Sequence, residues 1–65
     1  MAAAREYYEV FARHNPGQPL RHIGTVEAAT LDDAEVFSTT LYEEWKWIEM
    51  FITPRRCIVD VVRPA

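Results

Sequence analysis

His14 and His22 flank a Pro/Gly-rich stretch, and two imidazoles brought together across a turn could hold a metal ion or relay a proton. The set is incomplete, because a catalytic metal takes about three protein ligands. The nearest carboxylates, Glu9 and Glu27, fall on strand faces that need not converge. His14 therefore reads as a loop residue, and His22 as a hydrogen-bonding residue with a structural or interface role. Cys57 follows Arg55 and Arg56, whose guanidiniums would favour a thiolate. No His or Asn neighbours it to complete a nucleophilic pair, and it opens an apolar β-branched run, so it is expected to be a buried structural thiol. Asp32, Asp33, Glu35, Glu43 and Glu44 do not form a diiron ligand set, which draws Glu and Glu-x-x-His elements from several helices. They read as a solvated acidic helix surface. Arg55, Arg56 and Arg63 could meet such a surface on another subunit or bind a phosphate group, with ordinary solvated turn residues as the simpler reading. Gly17 and Gly24 are the only glycines, too few for a phosphate-cradling loop. No catalytic, cofactor-binding or metal-binding residue is assigned, and no cofactor is expected.

The elements that would position these side chains follow from periodicity. Residues 6–13 alternate, with Tyr8, Val10 and Ala12 on one face and Tyr7, Glu9, Phe11 and Arg13 on the other. Asn15-Pro16-Gly17-Gln18-Pro19 cannot continue a strand, so a reversal belongs there. Residues 20–28 return as a strand, with His22, Gly24, Val26 and Ala28 expected on one face and Ile23, Thr25 and Glu27 on the other. Gly24 inside that strand predicts a bulge or the close approach of a bulky group. Thr30 is a candidate N-cap, with Asp32 and Asp33 in the first turn of the following helix. Ala34, Phe37, Leu41 and Trp45 form the expected apolar stripe of that helix. From Trp47 the pattern returns to alternation, Ile48, Met50 and Ile52 against Trp47, Glu49, Phe51 and Thr53. A type I turn over 53–56 and a last strand over 57–62 complete a β-β-α-β-β order. The fold class is α+β, a small antiparallel sheet with one helix packed on one face.

A chain of 65 residues is one small domain, spanning 1–65, with residues 1–5 read as an unstructured lead. A domain this short buries only ~60% of its unfolded surface. A lone cysteine permits no internal disulfide, so association is the expected source of extra stability. The expected core is Tyr8, Val10, Val26, Phe37, Leu41, Ile48, Ile52, Val59 and Val61. That leaves Tyr7, Phe11, Ile23, Trp47 and Phe51 on a sheet face that no helix covers, and these five are the candidate interface anchors. A net charge of −3 argues against a nucleic-acid partner. The absence of an apolar leader or of an apolar run of roughly 18 residues predicts a cytoplasmic protein with no membrane partner.

Tyr8-Glu9-Val10-Phe11-Ala12-Arg13, followed by Arg21-His22-Ile23-Gly24 and Ala28, resembles the small B subunit of the multicomponent phenylacetyl-CoA oxygenase (epoxidase), the PaaB-like family. The likeness continues through an Asp-Asp-Ala helix start, the Leu41-Tyr42 pair, and Met50-Phe51-Ile52-Thr53-Pro54 near the family's Ile-Trp-Val-Val. It covers most of the chain and is strongest over 8–28. The sequence departs at Glu43-Glu44-Trp45-Lys46, an acidic and aromatic segment where the family shows Arg-Arg and Glu-Gly. The resemblance implies a non-catalytic, bridging subunit of an aromatic acyl-CoA oxygenase in phenylacetic acid degradation, with the diiron site in another polypeptide. It makes Arg21, His22 and Gly24 recognisable family positions with structural or interface roles. The expected partners are a second copy and a diiron oxygenase subunit. The alternative is a free-standing homodimeric ligand-binding or regulatory module of the same fold, and a small enzyme built around His22 is a third possibility.

Overall fold

The computed structural model of the chain describes residues 4–44 and 46–62. Strand β1 (Glu6–Arg13) and strand β2 (Arg21–Ala28) form a hairpin, helix α1 (Leu31–Leu41) follows, and strand β3 (Glu49–Pro54) returns to the sheet. The sheet is antiparallel in the order β2-β1-β3, so the first strand is central and the helix crosses between the two edges. The α+β class expected from the sequence is the class observed.

Local chemistry accounts for each element. The hairpin turns on Asn15–Gln18, closed by the Gln18 amide donating to the Asn15 carbonyl at 3.1 Å. Pro16 and Gly17 occupy the centre, and Gly17 does not need a positive φ there. The Thr30 hydroxyl accepts from the Asp33 amide at 3.1 Å, which makes Thr30 the N-cap the sequence predicts. Pro54 ends β3, where its missing amide costs the sheet little.

The core is small: among the described residues Tyr8, Val10, Ala12, Val26, Ala28 and Ala34 are the buried apolar ones, with Ile23, Tyr42, Met50 and Ile52 packed around their edge. Tyr8, Val10 and Val26 stand where the alternation put them, and Ile52 lies at the margin. The helix turns a different stripe inward from the one expected. Ala34 and Ser38 are its buried residues, and Tyr42 continues their line at i+8. Phe37 and Leu41, expected in the core, are exposed. Small side chains let the helix sit close over Gly24, Val26 and Ala28. Ser38 passes as a small apolar residue because its hydroxyl donates to the Ala34 carbonyl at 2.7 Å. Trp45, the last member of the expected stripe, lies outside the described residues.

Three further expectations are corrected. Arg55–Cys57 form a 3-10 turn, and residues 58–62 belong to no strand, where a last strand over 57–62 was anticipated. Val59 and Val61 are consequently 81% and 93% exposed rather than in the core, and Ile48, just before β3, is also exposed. Cys57 is a free, exposed thiol instead of a buried one. The cause lies in Arg55 and Arg56, whose ion pairs to β1 turn the chain away from the outer edge of β3. Of the expected N-terminal lead, Arg5 reaches across to Glu27, pairing at 3.4 Å and donating to its carbonyl. Residues 1–3 lie outside the described set.

Candidate functional site: the open face of the sheet

β1 is the middle strand, so its outward residues Tyr7, Glu9, Phe11 and Arg13 form the axis of the face opposite the helix. Register places Phe51 of β3 directly beside Phe11. The two rings stack with centroids 5.1 Å apart and planes 19° from parallel.

On the other side a bulge rewrites the expected alternation. Val10 pairs with Gly24 but Phe11 pairs with His22, leaving Ile23 as the extra residue. His22 is thereby carried to the open face, where its ring lies 5.3 Å from that of Phe11. Ile23, expected on the open face, instead packs against the core. Arg21 is paired with Ala12. Gly24 marks both features its position predicted. It sits at the bulge, and a Cβ there would collide with the Tyr42 hydroxyl and lie 3.0 Å from Tyr42 Cζ.

Glu9 is the centre of the face. One carboxylate oxygen accepts from the Thr25 hydroxyl and from His22 Nε2 at 3.1 Å, and the other accepts from Arg55 Nε at 2.8 Å. A carboxylate only accepts, so Nε2 of His22 is the protonated nitrogen in this contact. The Thr25 hydrogen bond, foremost, with those of Arg55 and His22, outweighs partial desolvation and holds the Glu9 carboxyl down at about 2. A carboxylate so fully partnered and so acidic is a poor general base near neutral pH and a good structural hub. Arg55 also lies over the Tyr7 ring at 4.5 Å. At the far end Arg13 Nε approaches Glu49 Oε1 to 2.8 Å, an ion pair whose N–H is not aligned for a hydrogen bond.

Of the five expected anchors, Tyr7, Phe11 and Phe51 share the open face. Trp47 does not: its indole N–H donates to the Tyr42 carbonyl at 2.7 Å and its ring stacks on His14 at 4.2 Å, tying the end of α1 to the start of β3. His14 and His22 are thus engaged separately, and the described residues assemble no group of three or more His, Cys, Asp or Glu side chains around one point. Arg55 and Arg56, read earlier with Arg63 as solvated or phosphate-binding, are committed to Glu9 and Glu6, and Arg63 lies outside the described residues. Sequence reasoning missed Glu9 as a hub. Its partnership with Thr25 follows from the hairpin register, but that with His22 requires the bulge and that with Arg55 requires the 3-10 turn.

None of the protein-family models, curated proteins or solved structures compared with this chain matches it. No helix among the described residues is long and apolar enough to cross a membrane.

Proposed function

We propose that this chain is a non-catalytic bridging subunit that docks through the open face of its sheet, in an assembly of the aromatic acyl-CoA oxygenase type that its PaaB-like sequence features imply. The observation that carries the reading is the stacked Phe11–Phe51 pair flanked by Tyr7, on a face whose charged groups are already satisfied by one another. Aromatic surface can be buried there without stranding an unpaired charge, and that combination of an apolar centre with a paired polar rim suits a protein interface. Tyr7 and Phe51 are the exposed members and carry the contact, with Phe11 supporting Phe51 from the centre.

The test is affinity capture of the tagged full chain from its native host, side by side with the Tyr7→Ser/Phe51→Ser variant. Co-purification of a carboxylate-bridged diiron oxygenase subunit with the parent chain, reduced by about tenfold or more in the variant, is expected. Recovery of the chain only with itself would select the free-standing homodimeric module. Equal recovery of the oxygenase subunit by both forms would remove Tyr7 and Phe51 as anchors.

A further inference from the structure

A second surface, away from the open face, is unfinished. β3 is an edge strand, and its ladder with β1 runs without interruption from Glu49 to Pro54. Its outer edge carries no strand among the described residues. The opposite edge, β2, is broken by the bulge at Ile23, a common device against further pairing. β3 has no such break. Beside it, between α1 and β3, opens a groove of about 310 Å³ lined by Leu31, Ser38, Met50, Phe51 and Ile52, with Glu35 and Thr39 at its helix side. The helix covers the β2 side of the sheet more closely and leaves this margin half-roofed.

The chain itself carries a segment of matching chemistry. Ile58, Val59, Val61 and Val62 are β-branched, exposed, and outside any strand. Five residues in extended form span about 17 Å, nearly the length of the six-residue β3. Within one copy the segment follows the 3-10 turn and pairs with no strand, its own β3 included. Arg55 is clamped to Glu9 at 2.8 Å and Arg56 to Glu6 at 3.0 Å, which fixes residues 55–57 against β1. The chain is correspondingly extended, with a radius of gyration of 13.2 Å against about 11 Å for a compact domain of this length.

We infer that residues 58–62 of one copy add as a fourth strand to the outer edge of β3 in a second copy, with Val59 and Val61 entering the groove against Met50 and Ile52. Strand periodicity puts Val59 and Val61 on the same side, so a single register fills the groove with both. The exchange is reciprocal, so two copies close on themselves and leave no open edge to propagate. It uses neither Tyr7 nor Phe11 and meets Phe51 only where that residue lines the groove, so it goes beyond the open-face reading and does not rest on it.

The experiment pairs sedimentation equilibrium of the full chain with isotope-filtered nuclear Overhauser spectroscopy on a mixture of labelled and unlabelled copies. A dimer is expected, with cross-chain contacts from the Val59 and Val61 methyls to those of Met50 and Ile52. The Val59→Asp/Val61→Asp variant should dimerise at least about 100-fold more weakly. Its single-copy fold should persist by circular dichroism, since both side chains are exposed within one copy. A monomer, a dimer indifferent to the Asp pair, or valine contacts found only within one chain would each overturn the exchange. A dimer that survives the Asp pair but is lost in Tyr7→Ser, which lies outside the groove, would overturn it while leaving the open-face reading standing.

Discussion

Replacing Gly24 by Ala isolates the packing on which the helix position depends. No glycine of this chain has a positive φ, so Gly24 is required for space alone. The added Cβ would overlap the Tyr42 hydroxyl and stand 3.0 Å from Cζ. The ring must retreat, but it is half-buried against the edge of the core, and the backbone that carries it is held on both sides. The Tyr42 amide donates to the Ser38 carbonyl at 3.2 Å and its own carbonyl accepts the Trp47 indole at 2.7 Å. Overpacking of this kind costs about 1–3 kcal/mol. The lower entropy of an unfolded chain with Ala in place of Gly offsets about 0.4–1 kcal/mol of that. A net loss of about 1–2 kcal/mol lowers the melting temperature of a chain this size by about 5–15 °C.

Thermal and denaturant unfolding of a double-mutant cycle checks the cause. In a Tyr42→Leu background the obstructing ring is gone, so Gly24→Ala should be neutral or stabilising, and the coupling between the two sites should be about 1 kcal/mol or more. An equal loss in both backgrounds, or a higher melting temperature for Gly24→Ala alone, would refute the steric account.

The acidity of Glu9 has a signed consequence. Its folded carboxyl is depressed to about 2, so its stabilisation is fully present above its unfolded value near pH 4.5 and is lost as pH falls from there toward 2. Parent and Glu9→Gln should therefore differ by about 1–3 kcal/mol at neutral pH, in denaturant unfolding, and converge across that window. A gap that stays constant with pH would exclude the carboxylate hub. Thr30→Ala removes the cap on the Asp33 amide and should cost about 1 kcal/mol, seen as a melting temperature lower by about 4–8 °C. An unchanged melting curve would show that the first helical turn is held by packing instead.

What could be read in the chain was what depends on near neighbours. The 6–13 alternation, the Pro16-Gly17 reversal, the Thr30 cap and the third strand each reflect a local preference, and each stands in the structure. The errors came from interactions between elements. One extra residue at Ile23 exchanged the faces of Ile23 and His22, and no period-two pattern contains that information. The helix followed closeness of approach over side-chain size, burying Ala34 and Ser38 and leaving Phe37 and Leu41 outside. The tail had strand-forming residues, yet Arg55 and Arg56 found partners 46 and 50 positions away and redirected it. Gly24 was legible in a different way, because a glycine in a strand of bulky residues already announces that something comes near its backbone.

The same contrast bears on stability. Among the described residues, three of the six buried apolar side chains are alanines, while Phe37, Leu41, Phe51, Val59, Val61 and Val62 remain at the surface. So much of the apolar content lies outside the core that folding and association should be linked: anything that binds only the folded chain, a second copy included, raises its apparent stability by mass action. For a dimer of chains this long, a tenfold rise in concentration contributes about 1.4 kcal/mol per dimer and lifts the melting temperature by about 5 °C. Calorimetry over two decades of concentration reads this directly. A melting temperature that does not move would mean that the small core suffices alone, and the exchange of tails between copies would then lose its energetic rationale.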